Sequence, residues 1–338
     1  MKASVIIRSK DEADRLRLTL TSLAYQSETP EVVVVNDGSS DHTRQVIAEA
    51  EMPVVTVHNA RAIGRSAASN AGAAAASGDV VLFLDGDTLA CPTLVAQHMA
   101  LHREQTKRMV RGSTYHLRCT RPFLDPESGT PQADQVQRVA KMSPNELKRN
   151  TVTRQQIRDA FHEVDARGQP GVYPGFGPRK LFELEMGALT DALDCPVLWA
   201  ASSGANFSLE RKAFLEAGGF LAVIDNNEHR ELALRLCNLG FSMAGTPART
   251  YHMTHRSGWR DPLIENDWEA IFFEAHPTPE VALLPVLWAS LADTPDVPEK
   301  ARILSLPQLA EAAARCRGIE GREAVRAAHL RWAETGSV

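Results

Sequence analysis

Four short runs of aliphatic and β-branched residues recur in the first hundred positions: SVII at 4–7, EVVVV at 31–35, PVVTV at 53–57 and DVVLFL at 79–84. Between them lie stretches whose composition and periodicity predict helices over 11–26, 41–51 and 65–76. Strands that read as continuous apolar runs, rather than alternating, are buried on both faces, and strands separated by helices pair in parallel. The chain therefore reads as α/β: a Rossmann-like, doubly wound sheet with helices on both faces. In such sheets ligands bind beyond the carboxyl ends of the strands, which is where the loops NDGSSD (36–41) and DGD (85–87) fall.

Beyond a strand-like run at 108–117, the chain turns polar from about 120 to 194, with helical periodicity around 143–164; this stretch reads as an insertion. Regular patterning returns at PVLWAASSGANFSLERKAFLEAGGF, continues through EHRELALRLCNLG and reaches TYHMTHRSGW. From about 261 the sequence reads helical to its end. The expected organisation is one large domain over 1–260, carrying the 120–194 insertion, followed by a helical extension over 261–338.

Charge and hydropathy narrow the function classes. Lys plus Arg number 37 against 42 Asp plus Glu, a net charge of -5, so no overall cationic field attracts nucleic acid or anionic lipid. The apolar stretch from Val281 to Ala292 is interrupted by Pro285 and falls short of the roughly 20 residues needed to span a bilayer. The start, MKASVIIRSKDE, meets charge too soon to be a signal peptide, so a cytoplasmic protein without a transmembrane segment is expected. The five cysteines are odd in number, far apart and without a CxxC pair, so neither a disulfide framework nor a zinc ribbon is expected.

The chemistry-bearing motif is DVVLFLDGDT, in which a buried strand delivers Asp85 and Asp87 to its carboxyl tip, one small residue apart. Two carboxylates so placed suit a hard divalent cation, Mn²⁺ or Mg²⁺, which keeps waters and substrate phosphates among its ligands. A lone DxD is more often an acidic turn, and four further stretches decide the matter. SVIIRSKDEADRLRLTLTSL provides an opening strand and an acidic helix start. VVVNDGSSDHT matches a V-D-D-G-S-x-D loop. NARAIGRSAASNAG keeps Gly64, Asn70 and Gly72 of an N-x-G-x-x-x-A-R-N-x-G pattern, with Ser69 in the Arg place. GANFSLERKAFLEAGGF matches G-x-N-x-S-x-x-R-x-x-F-x-x-x-G-G-F almost residue for residue. In this order, and over about residues 2–260, the chain resembles the nucleotide-sugar glycosyltransferases of the GT-A fold, family 2.

That resemblance implies roles. Asp37 would accept the N3–H of a uracil ring, Asp85 the ribose hydroxyls, and Asp87 would bind the metal bridging the diphosphate. Arg65 would contact base or phosphate, and Gly64 and Gly72 would let backbone approach the nucleotide, with Asn70 in the same stretch. Arg8 would place a cation near the nucleotide or pair with Asp11 or Glu12. A third metal-proximal position falls on His252, with His255 as substitute or phosphate contact. Trp259 would stack on a sugar or pin its loop.

At the general base the sequence departs from the family. Where family 2 carries E-D-x-E/D-L-x-x-R-L, this chain has Glu228-His229-Arg230-Glu231-Leu232, so His229 stands in place of the Asp. Three readings stay open: His229 is the base, aligned by Glu228 or Asp225; Glu228 serves instead; or the base is lost. Leu221 also replaces an Asp after GGF. In the insertion, Tyr173, Phe176, Arg179 and Lys180 form a binding loop or a surface excursion. The C-terminal helices, with Trp268, Trp288 and Trp332 as core or interface anchors, would cover the sheet edge, form a homodimer or touch the acceptor.

The resemblance thus implies a metal-dependent, inverting glycosyltransferase that moves a sugar from a nucleoside diphosphate sugar, UDP ahead of GDP or dTDP, to an acceptor the sequence does not identify. The alternatives are a retaining or nucleotidyl-transferring GT-A relative and a non-catalytic nucleotide-sugar binding subunit.

Overall fold

The computed structural model describes residues 1–170, 181–255, 268–292 and 296–336. The first four strands and three helices alternate as the apolar runs predict: β1 (Ala3–Ser9), α1 (Ala13–Ala24), β2 (Glu31–Asp37), α2 (Thr43–Ala48), β3 (Val54–Asn59), α3 (Arg65–Ala75) and β4 (Val80–Asp85). β1 pairs in parallel with β2 and with β4, and β2 in parallel with β3. The chain then forms β5 (Thr88–Ala90), α4 (Leu94–Glu104), β6 (Arg108–Leu117), a small hairpin of β7 (Phe123–Asp125) and β8 (Thr130–Pro131), four short helices α5 (Val136–Val139), α6 (Pro144–Asn150), α7 (Arg154–Asp159) and α8 (Phe161–Asp165), and β9 (Gln169–Pro170). There follow α9 (Leu181–Asp191), β10 (Phe207–Glu210), α10 (Arg211–Glu216), α11 (Glu228–Asn238), β11 (Ser242–Met253) and the helices α12 (Trp268–Ala275), α13 (Pro279–Ser290), α14 (Leu306–Arg315) and α15 (Arg322–Thr335).

Among the described residues the main sheet has the order β3-β2-β1-β4-β10-β6-β11-β5, with β9 added to β6. Only its first half is parallel: β10 runs antiparallel to β4 and β6, and β11 antiparallel to β5. The side chains of β1 divide between two apolar layers. Val5 and Ile7 join Leu16, Leu20 and Met99 in one cluster. Ile6 faces α3, where Gly72 lies so close that an added Cβ would collide with Ile6 and Val35. Phe83, Phe214 and Phe220 pack together on tilted and edge-on rings, with centroids 4.9 to 5.1 Å apart.

Two compact units emerge. One comprises 1–170, 203–222 and the described residues from 246 to 255; the other comprises the described residues of 181–202, 223–245, 268–292 and 296–336. This grouping cuts the chain differently from a single break near 260, because α9 and α11 go with the C-terminal helices. The second unit has its own aromatic core: Trp268 and Trp288 are buried with ring centroids 5.2 Å apart, and Trp199 meets Phe272 edge-on at 6.0 Å. Trp332 lies under the Arg315 guanidinium at 3.6 Å. Among the described residues no helix is long and apolar enough to cross a membrane.

Because the space over Gly72 is filled by buried side chains that have nowhere to yield, Gly72→Ala is expected to destabilise the fold by about 1–3 kcal/mol. Denaturant unfolding measures this, and an unchanged midpoint would contradict the packing described.

Candidate active site

The turn after β4 carries the acidic pair. Asp85 is the last residue of β4, and Gly86 crosses the tip so closely that a Cβ there would strike the Glu12 carboxylate and the Ser9 hydroxyl. The β5–β11 pairing then brings residues from far along the chain to this tip. Its register sets His252 opposite Thr88, and the Met253 amide donates to the Asp87 carbonyl at 2.9 Å. As a result the His252 Nε2 lies 3.1 Å and the His255 Nε2 3.0 Å from the same Asp87 Oδ2, while Thr88 Oγ1 donates to Oδ1 at 3.1 Å. One ligand atom from each of Asp87, His252 and His255 fits within a span of 4.8 Å. Both imidazoles, rather than one, are therefore in place.

Burial and neighbouring charges set the electrostatics of this cluster. Burial opposes the charge on Asp87, yet the two imidazoles outweigh it and hold its pKa well below the usual carboxylate range. Burial works against protonated His252 as well, and the Asp87 carboxylate overcomes it, raising the imidazole pKa. Glu12, at the N-cap of α1, goes the other way: burial first, then the charges of Asp87 and Asp85, raise its pKa far above the ordinary value. His116 of β6 meets the His252 ring edge-on at 5.2 Å, and burial together with His252 and Arg118 lowers its pKa to about 4. Glu12 and His116 are site residues that the sequence analysis did not single out; the signal for Glu12 was its place in the acidic helix start after β1.

The donor set can be tested against a metal. A carboxylate and two neutral imidazoles, beside further carboxyls, suit a divalent transition ion such as Mn²⁺, whereas Mg²⁺ prefers oxygen ligands throughout. The Nδ1 of His252 is buried without a hydrogen-bond partner, so the ring is held through its other nitrogen alone.

Next to this cluster, Arg8 forms an ion pair with Asp85 at 2.7 Å and donates to Ser69 Oγ at 3.2 Å. The alternative pairing with Asp11 or Glu12 is corrected: Asp11 instead accepts from the Ser40 amide at 2.7 Å and its hydroxyl at 3.0 Å. Asp37 ends β2, and its Oδ1 accepts from Asn59 Nδ2 at 2.8 Å and the Ile63 amide at 2.9 Å, with the Gly64 amide 3.3 Å from Oδ2. It thus fixes the loop entering α3, where Gly64 takes the positive φ of 97° and Arg65 opens the helix half-buried. Gly38, also at positive φ, lies against the backbone of Arg61 and Ala62, so no side chain fits there.

Asn70 is engaged elsewhere. Its amide donates to the Phe220 carbonyl and accepts from the Phe220 amide, both at 2.8 Å, so Asn70 and the GGF segment form one structural joint. Gly72 packs on the sheet, as described above.

Glu228 and His229 open α11 in the second unit. Arg230 Nη1 lies 3.0 Å from His229 Nε2, and a guanidinium only donates, so Nε2 accepts and the proton of a neutral ring sits on Nδ1, 3.7 Å from Glu228. Burial lowers the His229 pKa, with Arg230 adding to the effect and Glu228 opposing it. Arg230 itself is a hub: it also binds the Ala200 carbonyl at 2.8 Å, Asn227 Oδ1 at 2.7 Å and Glu185. Trp259, Tyr173, Phe176, Arg179 and Lys180 lie outside the described residues.

The half-parallel sheet, the carboxylates at its central tip and the imidazoles opposite them define a GT-A fold. Residues 4–159 match the family model Glycosyl transferase family 2. Over 116 residues it is 34% identical to the uncharacterised glycosyltransferase YfnE of Bacillus subtilis strain 168, a match covering 33% of this chain and 30% of that protein. This chain thus spans under a third of the length of that relative. Among solved structures, S. aureus TarS 1-349 in complex with UDP-GlcNAc superposes with a TM-score of 0.51 at 15% identity, covering 98% of this chain and 79% of that one. The mannosyltransferase PcManGT from Pyrobaculum calidifontis, in complex with GDP-Man and Mn²⁺, gives 0.50 at 15% identity, covering 100% and 76%. At such identity the likeness shows the fold alone.

The pKa directions fix a pH dependence. The depressed Asp87 contributes stability above the carboxylate range and loses it as pH falls; the raised His252 contributes it below about 6.5 and loses it as pH rises through the raised value. Without metal the pair therefore stabilises most in mildly acidic solution. A metal ion held by His252 would have to displace its proton, so Mn²⁺ affinity is expected to rise by up to about tenfold per pH unit between roughly pH 6 and 8. Calorimetric titration across that range tests this; an affinity independent of pH would contradict it.

Proposed function

We propose that this protein is a metal-dependent, inverting glycosyltransferase that takes a sugar from a nucleoside diphosphate sugar, UDP first among the carriers. The observation that carries the reading is the convergence of Asp87, His252 and His255 beside Asp85 at the sheet tip. The UDP-GlcNAc and the GDP-Man with Mn²⁺ named in the two solved neighbours support a diphosphate-linked donor. The division into a transferase part over 1–260 and a helical extension over 261–338 belongs to the same reading.

Asp87, His252 and His255 would hold the cation, Mn²⁺ ahead of Mg²⁺ on the chemistry of two imidazoles. When bound, such an ion supplies positive charge against the departing nucleoside diphosphate. Asp85, its position set by Arg8, accepts from ribose hydroxyls, and Asp37 retains lone pairs for the base beyond those it spends on the loop. Arg65, at the first turn of α3, serves base or phosphate. For the acceptor proton, His229 is neutral near pH 7 and Glu228 adjoins it; with Arg230 on Nε2, His229 takes a proton only when that hydrogen bond is released. That occupied nitrogen favours one second reading, a nucleotide-sugar binding subunit without transfer activity.

Asp87→Ala is expected to weaken Mn²⁺ binding by at least about a hundredfold, the upper end of the loss for groups behind metal ligands, and to abolish Mn²⁺-dependent stabilisation by UDP. Thermal shift with UDP, with and without Mn²⁺, reads this, and an unchanged shift refutes the metal assignment. His229→Ala is expected to slow transfer on the order of a hundredfold while donor binding persists. Equal turnover removes His229 from the mechanism; no turnover or donor hydrolysis in the unaltered protein, with binding intact, selects the non-catalytic reading.

A further inference from the structure

A cavity of about 590 Å³ opens among the elements of the 120–194 insertion, between the end of β6 and the helices α6, α7 and α8. Its walls carry Arg118, Lys148, Arg149 and Arg167 against a single carboxylate, Glu163. The four cations are not equivalent. Arg167 is spent on construction: it donates to the backbone carbonyls of Glu163 (2.9 Å), Arg149 (3.1 Å) and Thr151 (2.6 Å), tying α6 to α8. Glu163 in turn accepts from Gln156 at 2.9 Å.

Arg118, Lys148 and Arg149 are exposed and form no hydrogen bond or ion pair from their side chains among the described residues. Lys148 and Arg149 close the last turn of α6, where cations suit the helix dipole, but Arg118 comes from a different element and the dipole gives it no reason to face the same cavity. Cys119 also lines the wall, where burial pushes its thiol pKa up and leaves it a poor nucleophile.

The cavity borders the acidic tip. Gln169 on its wall pairs with His116 of β6, and the His116 ring rests on His252, a partner of Asp87. A ligand held there would sit one residue layer from the group that the transferase reading assigns to the metal. Three cations that form no ion pair among the described residues, with Glu163 the one carboxylate on the wall, match an anion of more than one charge, and a phosphate monoester carries about -1.5 to -2 near pH 7. The volume exceeds a bare phosphate and falls in the range of small-molecule pockets, so the anion comes attached to an organic body.

We propose that this cavity binds the phosphate of a small phosphorylated molecule through Arg118, Lys148 and Arg149. Its further role as the acceptor site rests on the glycosyltransferase reading above; the phosphate binding does not.

The test uses the full chain and inorganic phosphate as probe, with chloride and acetate at equal ionic strength as controls, read by calorimetry and thermal shift in the absence of Mn²⁺. Phosphate is expected to bind and stabilise beyond both controls. Arg118→Ala is expected to weaken that binding, and the triple variant R118A/K148A/R149A to weaken it at least about tenfold. Stabilisation by acetate equal to that by phosphate, no phosphate binding, or binding preserved in the triple variant overturns the proposal. If phosphate behaves as expected while UDP with Mn²⁺ fails to bind, the phosphate site stands and the transferase reading falls.

Discussion

A carboxylate taken almost wholly out of water stays ionised only when cations or strong donors face it, and Asp87 is in that position. Its counterparts, His252 and His255, arrive from 165 and 168 residues away, delivered by a strand that pairs antiparallel with a three-residue β5. The shape of the sheet edge is thus inseparable from the charge at its tip. The same geometry that satisfies Asp87 leaves Glu12 beside two carboxylates, where protonation is the state that burial allows. A bound cation changes this balance by supplying the charge that the imidazolium otherwise provides.

Around that centre the structure divides labour between holding and reaching. Arg8 neutralises Asp85 from the neighbouring strand, and Asp37 organises the loop before α3, so two of the three acidic tips are partly committed to the protein itself. Asn70 clamps Phe220 through one donor and one acceptor of its amide. Asp41 behaves in the same way, accepting from the amides of Ala13 and Thr43 and joining α1 to α2. A site of this kind is preorganised: few side chains must move for the carboxylates to face a ligand.

The parallel half of the sheet was legible because strands buried on both faces show as unbroken runs, and α3 because small residues recur where it packs on Ile6 and Val35. β5 was not legible, since three residues after an acidic turn carry no period. The antiparallel placement of β10 was hidden too, as FSLE reads like any short strand and its partners lie far away in sequence. The acidic pair could be read as a metal tip and the two histidines as its partners only through a family resemblance; nothing in the local spacing predicts that both imidazoles reach one oxygen. In the insertion, the capping boxes Ser143–Glu146 and Thr153–Gln156 mark two helix starts in plain sequence, but the cavity they frame depends on Arg167 bridging backbone carbonyls, which no pattern announces.

The central claim is that one carboxylate and two imidazoles form a single metal-binding centre. Pulsed electron paramagnetic resonance of the protein loaded with Mn²⁺ tests it most directly, because coordinated imidazole nitrogens modulate the manganese echo. The account predicts coupling to two histidine nitrogens, each removed by replacing His252 or His255 singly. A manganese signal without nitrogen coupling, or one indifferent to both replacements, would contradict it.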